Sequence, residues 1–439
     1  RDPKALRSSS LTSKRLLSIF SNEYQTHGDS GVITKIKIEG FKSLEKVDLT
    51  LGHFNLFVGA NASGKSNFFD ALRVLQGIGY GFTIDEILNG KPKSAGSEVW
   101  APIRGGSKMA EFVNLMADDS DTATIRFDIS LKLSTQSQEI NYSIVISAQP
   151  GGVEQEKLVI GNRIIFDGSK TWIQIFEERF LRVQYNKEGT EPQPHLQFER
   201  SRPVLHQLLR YSGCSDSDRE LIEACIHALS NMQRIDPSPA IVRDYSETHI
   251  VKRMGERGEN FAALLKAISS DDKLRSAYVS WLRQLTPSEL EDITVLQGAL
   301  GEPLFAIKEH GNIYPAQILS DGTLRFAAIA AAFFQSDMPD LITIEEIENG
   351  IHPSRLRLLV ELLKSQAVQN RQVMATTHSP MVLAWLQESD YATTFFCKRD
   401  EQTGASAIVP LNQVPRFLEI VKKQSIVDLF AEGWLEEAL

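Results

Sequence analysis

Cysteine is scarce in this 439-residue sequence, which contains only Cys214, Cys225 and Cys397. These three do not stand at the spacings of a zinc site or a disulfide framework, so the sequence predicts a reducing, cytoplasmic setting. Long apolar runs are lacking too, since no stretch approaches the ~18–20 residues that a membrane-spanning helix needs. The two absences argue against a disulfide-rich secreted domain and against a helical membrane protein.

An excess of positive charge is also absent. The formal net charge is −9, with 47 Lys and Arg against 56 Asp and Glu. The chain therefore lacks the overall basic surface of a dedicated nucleic-acid-binding protein. Any contact with DNA would need a local patch, for which Lys252, Arg253 and Arg257 are the candidates.

No heptad pattern persists for three or four repeats, so no long coiled coil is expected.

A phosphate-binding loop is predicted in the stretch GANASGKSNFFDAL. Apolar residues before it indicate a short buried strand, and apolar residues after it recur at helical spacing. The spacing of Gly59, Gly64, Lys65 and Ser66 matches a P-loop in its strand–loop–helix context. Backbone N–H groups and the helix N-terminus would surround phosphate oxygens. Lys65 would reach the β- and γ-phosphates of a nucleotide, and the Ser66 hydroxyl would ligate Mg²⁺.

Two adjacent carboxylates follow another apolar strand in the stretch LITIEEIENG. This is the form of a Walker B segment, and open α/β sheets bind ligands beyond such strand ends. Glu345 would hold Mg²⁺ through water. Glu346 would act as the general base that orients the attacking water. Glu345 is one methylene longer than the aspartate that usually stands there, which makes metal ligation at this position less direct.

The motifs together resemble those of the SMC/RecF-like branch of the ABC ATPase superfamily and of the related OLD-like bacterial ATPases. GANASGKSN is close to the loop of that branch, and KIEGFKSLEKVDLTLG is similar to the strands that lead into it. The resemblance implies that Asn61, Asn67 and Lys42 lie at the nucleotide. A solvent-facing Lys42 in a turn is the open alternative. Ala62 departs from the family's glycine.

The stretch LSDGT resembles the ABC signature, whose general form is LSGGQ. Ser320 is the predicted N-cap of a helix over residues 321–334. The resemblance implies that Ser320 and the backbone of Gly322 donate to the γ-phosphate held by a second copy of the chain. Asp321 replaces the usual glycine and would bring a carboxylate near that phosphate.

His378 ends a predicted strand in the stretch ATTHSPMVL, where Ser379 and Pro380 would open a helix as N-cap and first residue. The resemblance implies that His378 contacts the γ-phosphate and senses its loss. The stretch ENGIHP would lie where the D-loop crosses the dimer interface, so His352 is interpreted as an interface or packing residue. The glutamine of the Q-loop is not assigned.

Period-two alternation in residues 125–133 and 140–146 predicts antiparallel strands, and TWIQIF and FLRVQY predict further strands. Residues 202–286 carry helical stripes, and a βαβ rhythm follows residue 300. We therefore predict an α/β fold: an ABC-type ATPase head with a strand-rich antiparallel lobe, a helical insertion and a P-loop parallel-sheet core. The predicted parts are a basic N-terminal extension (1–31), ATPase lobe I with the P-loop (32–165), a strand-then-helix insertion (166–300), ATPase lobe II with the signature, Walker B and switch histidine (301–400), and a C-terminal tail (401–439).

The resemblance implies an Mg-dependent ATPase whose homodimer holds ATP at the interface and opens after hydrolysis. It also implies a DNA-related process, with anti-phage defence beside a separate effector protein, such as a nuclease, as the first hypothesis. RecF-like DNA repair and a slowly hydrolysing ATP-binding scaffold or sensor are the alternatives. An ABC transporter subunit fits less well, because the chain departs from LSGGQ and shows no clear Q-loop.

Overall fold

The computed structural model describes residues 30–92, 98–113, 124–134, 136–169, 180–187, 195–248, 251–285, 290–367 and 371–438. The predicted N-terminal extension and the strand predicted in TWIQIF lie outside these residues. The strands in the described part are, in chain order, β1 Gly31–Phe41, β2 Leu44–Thr50, β3 Phe54–Val58, β4 Lys91–Pro92, β5 Glu98–Trp100, β6 Ile125–Leu133, β7 Ile140–Ala148, β8 Gly151–Ile160, β9 Arg163–Ser169, β10 Phe180–Tyr185, β11 Leu196–Glu199, β12 Met232–Ile235, β13 Leu290–Gln297, β14 Pro303–Glu309, β15 Asn312–Pro315, β16 Leu341–Ile344, β17 Gln372–Thr377, β18 Thr394–Arg399 and β19 Ser406–Pro410.

The α-helices in the same part of the chain are short, and the longest of them has 15 residues. In chain order they are α1 Lys65–Gly79, α2 Ile84–Asn89, α3 Val204–Leu208, α4 Asp216–Ser230, α5 Pro239–Val242, α6 Phe261–Ser269, α7 Asp272–Leu285, α8 Asp321–Ala331, α9 Pro353–Gln366, α10 Pro380–Leu383, α11 Phe417–Ile420, α12 Ile426–Ala431 and α13 Trp434–Ala438. Of the helices described, none is both long and apolar enough to serve as a membrane span.

The chain divides into two compact units. We call the first the P-loop unit; its described residues fall within 30–232, 388–425 and 429–438. The second, the signature unit, comprises described residues within 233–387 and 426–428. The functional division into five parts that the sequence suggests stays a prediction.

An eight-stranded antiparallel sheet dominates the P-loop unit, in the order β11-β10-β9-β8-β7-β6-β1-β2. Alternate residues of β6 are buried, as the period-two pattern predicts for a sheet with one covered face. The prediction of antiparallel strands at β6 and β7 is confirmed, as is the prediction of a strand at β10.

One polar group is enclosed at the covered side of this sheet. Glu156 on β8 is fully buried and accepts hydrogen bonds from the backbone N–H groups of Val204 and Leu205, at 2.7 and 3.1 Å. The Tyr142 hydroxyl donates a third, at 3.1 Å. Burial raises the pKa of Glu156 to about 7. The carboxyl group therefore ties the first turn of α3 to the sheet.

A smaller set of strands positions the P-loop. β3 pairs in parallel with β18, and β18 pairs antiparallel with β19. Phe57 of β3 stacks on Phe395 of β18 with ring centroids 5.0 Å apart, and Phe68 of α1 packs on Phe57 at 4.5 Å. Burying such aromatic side chains is a large hydrophobic gain. It fixes α1 against the strand that precedes the loop, and α1 also packs against α4.

The signature unit contains the antiparallel meander β13-β14-β15 and the parallel pair β16 and β17, with β12 beside β16. Every residue of β16 and β17 is buried, as is typical of parallel strands covered on both faces. The prediction of a parallel-sheet core is confirmed. The helix predicted over 321–334 ends at Ala331, because Phe333 and Phe334 donate to carbonyls three residues back and tighten the last turn.

All three cysteines are buried free thiols. Burial raises the pKa of Cys214 and Cys225, and raises that of Cys397 to about 12. Since the thiolate is the reactive form, these side chains behave as small core residues.

Candidate functional site

The P-loop begins where β3 ends and closes where α1 begins, so its backbone N–H groups surround a helix N-terminus. Gly64 caps α1 with a φ of 103°, in the left-handed region. A Cβ at Gly64 would also collide with the Ser406 hydroxyl of β19. Only glycine meets both conditions, which explains this residue of the motif without reference to any ligand.

Lys65 lies inside the loop that it follows. Its ammonium group donates to the carbonyls of Gly59 and Ala60, both at 2.6 Å, and to the Ser63 hydroxyl at 3.3 Å. The side chain is buried. These oxygens offset the unfavourable position of a cation at a helix N-terminus. Phosphate oxygens can take the place of the carbonyls as acceptors with a stronger, charge-assisted bond.

The two asparagines of the loop have different surroundings. Asn67 donates to the Ser43 hydroxyl at 2.7 Å, and the Ser406 hydroxyl is also 2.7 Å from Ser43. This polar chain joins α1 to the β1–β2 turn and to β19. Asn61 is exposed and lines a cavity of about 650 Å³ with Lys398 and other residues of the P-loop unit. The Asn61 side chain therefore faces an open cavity, whereas the Asn67 side chain joins α1 to neighbouring elements of the P-loop unit.

Lys42 is not a solvent-facing turn residue, so that alternative is wrong. Its ammonium group lies 2.5 Å from the Asp70 carboxylate on α1, and both side chains are nearly enclosed. Burial lowers the pKa of Lys42, while the bond to Asp70 acts in the opposite direction. Arg104 is a second cation on Asp70, at 3.1 Å. The FKS turn is thus anchored to the P-loop helix by a buried ion pair that sequence reasoning missed.

In the signature unit, Glu346 is held in an uncommon backbone conformation at the end of β16. Its φ is 48°, a left-handed value that costs a non-glycine residue about 1–3 kcal/mol. Its N–H donates to the Thr376 hydroxyl at 2.9 Å. Its Oε2 accepts from the Asn349 side-chain amide at 2.6 Å. Such a strained and restrained carboxylate suits a catalytic base, whose direction must be fixed before reaction.

Glu345 forms an ion pair that the sequence did not reveal. Its Oε1 lies 3.2 Å from Nη2 of Arg234, which also pairs with Glu256 at 3.3 Å. In the described part of the chain, no group of three His, Cys, Asp or Glu side chains could hold a metal ion. Mg²⁺ does not need one, because it binds through one or two protein oxygens, substrate phosphates and water. The Ser66 hydroxyl in the P-loop unit and the Glu345 carboxylate in the signature unit are each an oxygen donor of this kind, and Glu345 already pairs with Arg234.

The signature segment adopts its predicted cap. Ser320 is the N-cap of α8, and its hydroxyl accepts from the Thr323 N–H at 3.2 Å, which confirms the prediction. A Cβ at Gly322 would collide with the Gly350 carbonyl, so glycine permits the approach of the loop after Walker B. Asp321 pairs with Arg243 at 2.5 Å. Asp321 stands where the family has glycine, and the positive charge of Arg243 in the same unit balances its carboxylate.

Arg325 links α8 to the Walker B segment within the signature unit. It is buried and donates to the carbonyl oxygens of Glu345 and Glu346 at 3.1 and 3.4 Å. It also pairs with Asp236 at 3.1 Å. A guanidinium with several donors suits such a junction. An arginine within the otherwise apolar helical stretch LRFAAIAAAFF is the sequence signal that could have identified Arg325, because arginine is rarely buried without a partner.

His378 follows β17, and Ser379 and Pro380 open α10 as predicted. The imidazole is 41% exposed and contacts the Glu348 carboxylate, with Nδ1 3.0 Å from Oε1.

His352 is the N-cap of α9, where its Nδ1 accepts from the Ser354 N–H at 3.3 Å. Of the candidate DNA contacts, Arg253 pairs with Asp337, whereas Lys252 and Arg257 are exposed.

Residues 32–253 match the family described as "AAA ATPase domain". Residues 251–384 match the family described as "AAA domain, putative AbiEii toxin, Type IV TA system". A relative named "ATP/GTP phosphatase" from Helicobacter pylori is 24% identical over 386 residues, which are 84% of this chain and 94% of the relative.

Among solved structures, an SMC head bound to the C-terminal winged-helix domain of ScpA shares the fold. Its TM-score is 0.50 at 12% identity, and the match covers 87% of this chain and 98% of the SMC head. A Pyrococcus furiosus SMC head with an extended coiled coil, also bound to a ScpA domain, matches at a TM-score of 0.46 and 12% identity, over 90% of this chain and 100% of that one.

The first family match spans half of the chain, and the P-loop and the two carboxylates that follow β16 are groups of the kinds used in ATP hydrolysis. The chain belongs to the AAA ATPase domain family and is an ATPase whose fold is shared with an SMC head.

Proposed function

We propose that this ATPase is a switch, in which two copies close around ATP and separate after hydrolysis. The exposed N-terminus of the signature helix is the observation that carries the proposal. Ser320 and Asp321 are exposed and, with Gly322 and Arg355, line a cavity of about 460 Å³. Helix N-termini attract phosphate. Ile318 beside them is 65% exposed, and the second copy would cover it in the closed dimer.

The proposed roles follow from the chemistry of each side chain. Lys65 and the P-loop backbone bind phosphate, Ser320 and Gly322 donate to the γ-phosphate of the second copy, Glu346 activates water, and His378 senses the γ-phosphate. Asn61, Asn67 and Lys42 serve nucleotide binding, the last two through the contacts that shape the loop. Mg²⁺, held by Ser66 and through water by Glu345, would neutralise the charge on the β- and γ-phosphates.

Dimer formation that depends on ATP tests this proposal. We expect sedimentation or light scattering to give a doubled mass with Mg²⁺ and ATP, and the mass of a single chain with ADP, because only the γ-phosphate joins the two surfaces. Ile318→Asp should abolish the doubling by placing a charge in the contact. Leu300→Asp is the matched control, since Leu300 is 85% exposed on the turn between β13 and β14. A single-chain mass with every nucleotide would contradict the proposal.

The wider process is proposed from the relatives. The match of residues 251–384 to the AbiEii-toxin family supports a defence setting, in which a separate effector such as a nuclease responds to the ATP-bound dimer. Mass spectrometry of proteins that copurify from the native host would identify that effector, and repair proteins among them would favour the RecF-like alternative. A stable ATP-bound dimer with very slow turnover would favour a scaffold or sensor.

A contact between the ATP-bound dimer and DNA would have a distinct dependence on salt concentration. Lys252 and Arg257 give two exposed cations per chain and four per dimer, so log K should fall with log salt with a slope of about −3 to −4. Duplex binding by Glu346→Gln with and without ATP, at ~50 and ~200 mM salt, measures it. Alanine at Lys252 and Arg257 should remove the binding, whereas alanine at exposed Lys422 and Lys423 should not. Binding that ignores ATP and salt would contradict a DNA contact of this kind.

A further inference from the structure

Glu348 and His378 lie on two loops that leave the same edge of the sheet in the signature unit. β16 and β17 are parallel and in register from Leu341 opposite Gln372 to Ile344 opposite Ala375. Their following loops therefore start side by side, and Glu348 is four residues beyond the end of β16. One oxygen of Glu348, Oε1, accepts from the His378 N–H at 2.7 Å and lies 3.0 Å from its Nδ1. A single carboxylate oxygen thus holds both the backbone and the ring of this histidine.

The contact bears on which ring nitrogen carries hydrogen. An ionised carboxylate only accepts hydrogen bonds, so its oxygen 3.0 Å away favours hydrogen on Nδ1 of His378 over a bare Nδ1. Nε2 is then the ring atom that remains to meet other groups, and the ring is 41% exposed. A neutral ring with hydrogen on Nδ1 presents Nε2 as an acceptor, whereas the imidazolium presents it as a donor. Phosphate oxygens accept hydrogen bonds, so the ring can bind one through Nε2 only when Nε2 also carries hydrogen.

The surroundings of Glu348 indicate that this pairing is its main interaction. Its side chain is only 9% exposed. Its Oε2 is buried and has no hydrogen-bond partner among the described residues. Within that part of the chain, Glu348 forms no ion pair with Lys or Arg, and His378 is its partner. Burying a carboxylate in this way is costly, and the cost is reduced when a neighbour carries positive charge.

We propose that Glu348 is the positioning residue of the switch histidine. It holds His378 by its backbone N–H and by its ring, keeps hydrogen on Nδ1, and leaves Nε2 as the ring atom that faces the terminal phosphate of ATP. The proposal rests on the role of His378 given above, and it adds a carboxylate–imidazole pair to that role. Glu348 is therefore distinct from Glu346, which stands two residues earlier and contacts Asn349 instead.

Steady-state kinetics test the pair. We expect Glu348→Ala to lower kcat about 10- to 100-fold, the range for removing a group that orients a functional imidazole. KM for ATP should stay nearly unchanged, because Lys65 and the P-loop supply the ground-state binding. The double variant with His378→Ala should be no slower than His378→Ala alone, since Glu348 acts only through that ring. Glu361→Ala, which removes a half-exposed carboxylate of α9, is the matched control and should turn over ATP normally.

Nitrogen-15 NMR of histidine-labelled protein provides a readout that is independent of hydrolysis. We expect the His378 signal, assigned by its loss in His378→Ala, to show Nδ1 protonated in the wild type. Glu348→Ala should move the proton to Nε2 or give a mixture. Glu348→Gln retains an acceptor oxygen without the charge, so it should keep the Nδ1 proton and lose part of kcat, even if the alanine variant folds poorly.

The outcomes separate the two proposals. A wild-type His378 with its proton on Nε2 alone, or additive losses in the double variant, would overturn the role of Glu348 and leave the ATP switch intact. An Nδ1 proton that depends on Glu348, together with normal kcat in His378→Ala, would instead overturn the switch role of His378. A reduced kcat in Glu348→Ala with the wild-type NMR pattern would also overturn the positioning role.

Discussion

Replacing Glu346 with Gln is expected to lower kcat for ATP hydrolysis by about 10²- to 10⁴-fold, the scale for a lost general base. Gln has nearly the same shape but cannot take a proton from the attacking water. Its amide oxygen can still accept the bond that Asn349 donates to Glu346 at 2.6 Å, so the loop should keep its conformation. ATP affinity, measured by calorimetry, should survive. The variant should accumulate as the ATP-bound dimer, since opening requires hydrolysis.

The matched control for this variant is Glu361→Gln. Glu361 pairs with Arg357 one turn away on α9, at 2.7 Å, and is half-exposed. It has no part in the proposed chemistry, so its loss should leave kcat within about twofold, as for most surface changes. If Glu346→Gln hydrolyses ATP like the wild type, the base lies elsewhere and Glu345 becomes the first candidate.

Two inactive variants are expected to restore activity when mixed. Lys65→Ala removes the ammonium group that binds phosphate, and Ser320→Arg blocks the signature surface offered to the other copy. In a dimer with one chain of each kind, one site retains both Lys65 and Ser320. Random mixing in equal amounts makes about half of the dimers mixed, so roughly a quarter of the sites should be active. Steady-state hydrolysis of the mixture, compared with either variant alone, measures this.

The experiment needs proof that the chains exchange, which tagged copies and pull-down provide. Ser320→Ala is a useful companion, because it removes the cap but adds no bulk; losing an N-cap costs about 1 kcal/mol of helix stability. A mixture as inactive as each parent, despite mixed dimers, would show that each chain completes its own site.

Sequence patterns predicted those strands and helix starts that depend mainly on residues close together in the chain. Alternation in β6 predicted an antiparallel strand, and Ser320 and Ser379 predicted two helix starts, because capping and side-chain direction depend on neighbours in sequence. The strand, loop and helix around Gly64 and Lys65 were predictable for the same reason.

The polar partners of the site were not predictable, because they come from distant parts of the chain. Lys42 meets Asp70 across 28 positions, and His378 meets Glu348 across 30. No periodicity connects such residues, because only the tertiary fold brings the two members of each pair together. A carboxylate that follows the end of a strand is visible in the sequence, but the cation or imidazole that it will contact is not.

The three buried thiols make the chain suitable for observing its own movements. Thiol-reactive dyes attack the thiolate, and burial keeps Cys214, Cys225 and Cys397 protonated and enclosed. A single cysteine introduced at an exposed position such as Leu300 would therefore be labelled selectively in an otherwise native background. With one fluorophore on each chain, energy transfer between them would report when two copies meet and part during a single turnover.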